Sequence, residues 1–222
     1  MATRLLLADM AAQWKLTAGI NVVVESVGGL DAAKRVQAGE AFDGVVLAQE
    51  AIDKLIASGH VVAGSRVDLV SSSVAVAVRA GSPLPDISSE AALRSAVLAA
   101  PTIGYSTGPS GVAIMALFER WGLTETLQTL QSRIVQTPPG VPVGSLVARG
   151  ELALGFQQLS ERMHLQGISV VGTLPEPVAI TTIFSIAACA VNSSRDELSR
   201  FSAFMASADV AQAKLKHGMQ AV

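Results

Sequence analysis

Four stretches of this chain place small, uncharged hydrogen-bonding residues where an apolar run ends: Gly28-Gly29, Tyr105-Ser106-Thr107-Gly108-Pro109-Ser110-Gly111, Gly140-Val141 and Gln157-Gln158. A strand that turns into a helix through small residues leaves backbone N–H groups unpaired at the helix N-terminus. Those donors, the positive end of the helix dipole and the hydroxyls of Ser106, Thr107 and Ser110 make an anion seat. Glycine admits an oxyanion close to the backbone because it has no Cβ. The same residues also fit a plain helix start with Ser110 as N-cap, and Gly28-Gly29 also fits a simple tight turn. Neutral donors aimed at one point suit a small oxyanion or carboxylate held by hydrogen bonds. Each bond to such a charged acceptor contributes about 1.5–3 kcal/mol. The candidate ligand-binding residues are Gly28, Gly29, Tyr105, Ser106, Thr107, Ser110, Gly111, Val141, Gln157 and Gln158.

Other chemistries find less support. The sequence holds no phosphate-loop lysine, no Gly-x-Gly-x-x-Gly after a first strand and no nucleophile elbow. Ser110 has no assignable base. Asp43 and Glu161 have no identifiable carboxylate partner. His60, His164 and His217 are isolated from one another, so no metal site and no cofactor is expected. Cys189, the one cysteine, sits in the apolar run Ile186–Val191 and reads as a small buried hydrophobe. If a proton is moved here, Tyr105, Glu161 and His164 are the candidates, and no catalytic residue is assigned.

The totals set the frame. A chain of 222 residues, half of them hydrophobic, is long enough for one large or two small domains. The net charge is -2 and the pI about 5.9. Lys and Arg are scattered without a basic stripe, which argues against nucleic acid as a partner. Mean hydropathy is high at +0.46, yet no apolar run approaches the ~18–20 residues of a membrane-spanning helix. Ala and Val supply most of the apolarity, as in a buried sheet covered by helices. Residues 3–16 fit an amphipathic helix capped by Thr3 better than an export signal, so the chain as written is expected to carry none.

The elements alternate. Asn21–Val27 reads as a strand, followed by a helix over 30–38 stopped by Gly39. Phe42–Ala48 is a strand and Gln49–His60 a helix ending at Gly59. Arg66–Arg79 is a long β-rich run. The loop Ala80–Asp86 is the expected hinge or domain crossing. Ser88 or Ser89 caps a helix with Glu90 in its first turn that runs to about Leu98. The strand before Ser106, a helix to Trp121 and a helical piece over 124–130 follow. Then come strand 133–136, a rigid loop 137–143, a short helix 143–148 and strand 152–158. After a helix start at 159–164 come strand 169–174, a strand-rich run 178–191 and terminal helices over 195–207 and 210–219. This is an α/β pattern with parallel sheet. It predicts two lobes, residues 1–82 and 83–175, with 176–222 returning towards the first, and a small ligand in the cleft between them.

The segment Ala33–Ala48, with its helix, Gly39, Asp43 and apolar strand, resembles the corresponding part of molybdate-type periplasmic solute-binding proteins. Ile52-Asp53-Lys54-Leu55, Gly59, Gly64-Ser65-Arg66 and Leu152 to Gly155 continue the likeness along nearly the whole chain. The resemblance implies a two-lobed type II periplasmic-binding fold, each lobe a mostly parallel sheet flanked by helices. It implies an oxyanion held between the lobes by serine hydroxyls and backbone amides, at Gly28, Gly29, Ser106 to Gly111, Val141 and Gln157-Gln158. It also implies a periplasmic setting and an ABC transporter permease as partner. Two departures stand out. The first family strand is missing ahead of Thr3, and no serine stands at Gly28-Gly29. These departures, with Gln157-Gln158 and Tyr105, point to a larger, organic anion. An aconitate-isomerase-like branch, which shifts a proton and double bond in a tricarboxylate, makes enzymatic use of the fold the alternative. A ligand-sensing domain is the second alternative.

Overall fold

The computed structural model describes residues 2–123, 134–138, 140–163 and 165–222. The helical piece over 124–130, Arg133 at the start of its strand, and His164 therefore lie outside the described residues. The chain packs into two compact units, Met1–Ser72 with Thr182–Val222 (unit 1) and Ser73–Thr181 (unit 2).

Unit 1 opens with α1 (Arg4–Ala18), closed by Gly19 in the left-handed conformation, where its N–H donates to the Lys15 carbonyl. Its apolar stripe, Leu6, Leu7, Met10 and Trp14, packs with Leu69, Val70, Ile186, Phe201 and Met205. The expected strand at Asn21–Val27 does not form. Its side chains alternate as a strand's would, with Val22 and Val24 on the core and Val23 exposed. Among the described residues no strand forms a ladder with this segment, and regular strand structure needs such a ladder. Helix α2 (Gly29–Gln37), β1 (Gly44–Ala48) and α3 (Gln49–Ala57) follow as anticipated. They enclose Val36, Val45, Leu47, Ile52, Leu55 and Cys189. Burial pushes the Cys189 thiol up to about 11, with help from the Asp43 charge, so it is a packing residue.

Strand β2 (Val67–Arg79) begins in unit 1 and ends in unit 2. The chain returns at Thr181–Thr182, at the head of β7 (Thr181–Ala188). Both passages thus run along strands. The loop 80–86, the expected crossing, lies within unit 2 and joins β2 to α4 (Glu90–Ala99). In unit 1, β7 lies between β1 and β2, antiparallel to β1, and the two-residue β8 (Gln220–Ala221) pairs with β2 on residues 70–71. Helices α7 (Arg195–Ala206) and α8 (Ala211–Lys216) complete this unit.

The unit 2 sheet has the order β6-β2-β5-β3-β4, with β3 (Ile103–Tyr105), β4 (Ile134–Gln136), β5 (Leu154–Gln158) and β6 (Ile168–Thr173). Parallel pairing is confined to β4-β3-β5, while β2 runs antiparallel to β5, β6 and β8. The long β2 enters from unit 1 and so opposes strands that rise out of unit 2's own helices. One sheet face carries the main core under α4 and α5 (Pro109–Arg120), where Phe118 meets Phe156 edge-on at 5.7 Å. The other face is floored by Gly104 and Gly155. There α6 (Val143–Ala148) lies close, and a Cβ on Gly155 would stand 2.7 Å from Val147. Among the described residues no helix is long and apolar enough to cross a membrane.

Candidate anion-binding site

Strands β4, β3 and β5 are parallel and in register, with Gln136, Tyr105 and Phe156 in one row. The residues after that row, Thr137, Ser106 and Gln157, therefore share the carboxyl edge of the unit 2 sheet, where open α/β sheets hold ligands. The Thr137 N–H donates to the Tyr105 carbonyl at 2.9 Å and fixes the two strand ends together.

From β3 the chain turns through Ser106 to Gly108 into α5. The N-cap is Gly108, with Pro109 as the first helical residue, so Ser110 is not the cap. Pro109 has no N–H to lose and a preset φ, which moves the helix start ahead of Ser110. The serine is free for another role. Its side chain turns inward, 4% exposed, and its hydroxyl lies 3.0 Å from that of Ser106. Gly111 makes this possible. A Cβ there would stand 2.8 Å from the Ser106 carbonyl carbon and closer still to its oxygen. Thr107 is half-buried in the same turn. Tyr105 and Gly111 also line a concavity of about 560 Å³ with Met115, Glu119 and Gln136.

Gln157 and Gln158 are both buried, but successive strand residues face opposite ways. Gln158 shares the Phe156 face with α5 and lies opposite Val74. Gln157 shares the Gly155 face with α6. It accepts from the Gly144 N–H at 3.3 Å and donates to the Glu161 carboxylate. It thus ties the start of α6 to the short 3₁₀ turn Leu159–Glu161, which replaces the expected helix at 159–164. Burial raises the Glu161 carboxyl above its ordinary value; the Gln157 hydrogen bond and the Arg162 charge oppose that shift.

Three expected residues are placed elsewhere. The Val141 N–H donates to Pro138 at 3.1 Å, and its side chain packs with Val143 and Leu146. Gly28 and Gly29 belong to unit 1, where Gly28 caps α2. A Cβ on Gly28 would stand 3.3 Å from the Asp31 carboxylate, so that helix start already faces an anion of its own. Among the described residues no cluster of three or more His, Cys, Asp or Glu could hold a metal. His217 instead pairs with Asp9 at 3.1 Å.

Sequence reasoning missed Arg162. Its side chain is 1% exposed, and its Nε, Nη1 and Nη2 have no hydrogen-bond partner among the described residues. Nη2 lies 3.5 Å from where a Gly155 Cβ would be. Burial pushes the guanidinium down to about 9, against the pull of the neighbouring Glu161. A buried, unpaired cation is strongly unfavourable. The missing side chain at Gly155 lets Val147, Val143 and the Arg162 guanidinium approach that face of the strand.

Residues 1–220 match the family model of the bacterial extracellular solute-binding proteins. The chain is 38% identical over 189 residues to the aconitate isomerase of a Pseudomonas species, covering 85% of this chain and 71% of that protein. Its fold is similar to the periplasmic molybdate-binding protein of Azotobacter vinelandii, with a TM-score of 0.80, 20% identity, and 98% and 95% of the two chains covered. It is also similar to Peb3 from Campylobacter jejuni, with a TM-score of 0.75, 17% identity, and 100% and 96% covered. These neighbours share the type II periplasmic-binding fold expected from the sequence. The chain belongs to the bacterial extracellular solute-binding protein family.

Proposed function

We propose that this protein binds a small organic anion bearing carboxylates, at the carboxyl edge of the unit 2 sheet, and delivers it to an ABC transporter permease. The carrying observation is the Ser106–Ser110 hydroxyl pair at the start of α5, held together because Gly111 has no Cβ. Two hydroxyls and a helix N-terminus offer donors to a negative group, and the Glu161 carboxylate at this edge is already engaged by Gln157. The relatives support an anion: one is an aconitate isomerase, and the neighbouring structures include a molybdate-binding protein and a Peb3 bound to L-phospholactate. Thermal melting of the chain against molybdate, phosphate, and di- and tricarboxylates tests this. A ligand at ~100 times its Kd adds ~2.7 kcal/mol of stability. A tricarboxylate is expected to raise the melting temperature, and a flat panel sinks the proposal.

A second reading is favoured by Glu161. A carboxyl raised by burial and hydrogen-bonded at this edge can accept a proton from one carbon of an unsaturated tricarboxylate and return it to another. The double bond moves and no atoms are gained or lost. Incubating the bound ligand and following its double bond by NMR separates the readings: unchanged ligand removes the isomerase.

A further inference from the structure

We propose that Arg162 is the charged contact for a carboxylate of the bound anion, and that it makes the site prefer polycarboxylates over compact inorganic oxyanions; this rests on the reading of the unit 2 edge as an anion site. The guanidinium is buried over Gly155, and the side chains placed around Gly155, Val143 and Val147, offer it no acceptor. Arg162 follows the turn Leu159–Glu161 directly, so its backbone stands at the same strand edge as Ser106 and Gln157. The guanidinium lies over Gly155, two strand positions before that edge and on the face that Gln157 shares. A planar guanidinium meets a carboxylate with two parallel hydrogen bonds and supplies the charge that the neutral hydroxyls lack. The Ser106–Ser110 seat then holds one negative group and Arg162 a second. That requires a ligand with at least two.

A structural role for this cation would show a buried acceptor against it, and none of the described residues provides one. The test uses the full chain with calorimetric titration of citrate, trans-aconitate and molybdate into wild type, Arg162→Met and Arg162→Lys. Arg162→Met is expected to weaken tricarboxylate binding about tenfold or more, as loss of a charged hydrogen bond does. Molybdate affinity should stay within about threefold. Arg162→Lys should fall between, since an ammonium keeps the charge without the fork. Without ligand, Arg162→Met should melt at or above wild type, because an apolar side chain replaces an unpaired buried cation. Equal tricarboxylate affinity in wild type and either variant overturns the inference, as does a parallel loss of molybdate binding. So does Arg162→Met melting well below wild type or failing to fold, which marks a structural arginine. A wild type that binds molybdate but no tricarboxylate overturns this inference and leaves the anion site standing. A wild type that binds nothing overturns both.

Discussion

Replacing Gly111 by alanine puts the seat at the start of α5 to its most direct trial. The new Cβ would stand 2.8 Å from the Ser106 carbonyl carbon, closer to its oxygen, and 3.1 Å from Tyr105 Cδ2. Ordinary contact starts at 3.4 Å, so the carbonyl must retreat by well over half an ångström. It is backbone and cannot rotate away, so the turn from Ser106 to Pro109 moves with it. That movement separates the Ser106 and Ser110 hydroxyls, now 3.0 Å apart. Overpacking of this kind costs about 1–3 kcal/mol, offset by the ~0.5–1 kcal/mol that alanine gains over glycine in a helix. The net loss is then up to about 2.5 kcal/mol, or a melting temperature lowered by up to roughly 10 °C at this chain length. Ligand affinity falls further, since the seat itself is displaced. Gly29→Ala is the control: its Cβ meets only Leu47 at 3.7 Å, so it should melt at or slightly above wild type. Scanning fluorimetry and calorimetric titration read both quantities. A Gly111→Ala protein with wild-type melting and wild-type affinity would refute the reasoning.

Burial holds the Glu161 carboxyl above its ordinary value of 4.5. Its proton therefore favours the folded state: that contribution is complete below pH ~4.5 and is lost as pH rises through the folded value. Glu161→Gln should flatten this slope and raise stability at neutral pH, while abolishing any isomerase turnover; denaturation followed from pH 4 to 8 reads the first effect. Phe118 is fully buried against Phe156 and Trp121, and Phe118→Ala should cost about 3–5 kcal/mol, seen as a large fall in denaturation midpoint. Ser89 caps α4 by accepting the Ala92 N–H at 3.2 Å, and Ser89→Ala should cost about 0.5–2 kcal/mol in the same assay.

Local rules were readable wherever the chain's own neighbours decide the outcome. Ser89-Glu90 announces α4, and Gly39 and Gly59 mark the ends of their helices because each adopts a positive φ. Asn21–Val27 shows where such rules stop, since β-branched residues alternate there as required but no strand among the described residues forms a ladder with them. Ser110 misled for a related reason: Pro109 takes the first helical position and leaves the serine inside. At the candidate site, the turn that carries Ser106, Ser110 and Gly111 was legible because small residues between a strand and a helix have a direct physical meaning. Gln157 and Gln158 looked like one polar strand end, while the strand sends them to opposite faces. Arg162 follows Glu161 in the sequence and so looks like half of a solvated ion pair. Only the folded sheet shows that this arginine has an interior place, over Gly155.

The route of the chain through β2 and β7 has a consequence for its biosynthesis. Unit 2 is one uninterrupted segment, Ser73–Thr181, whose two ends lie side by side with their hydroxyls 3.0 Å apart. Unit 1 is assembled from both extremities of the polypeptide. A ribosome therefore releases every residue of unit 2 before the closing strand and helices of unit 1 have been made, and domains fold as they emerge. The half with the serine pair matures first, and the other half waits for the final fifth of translation.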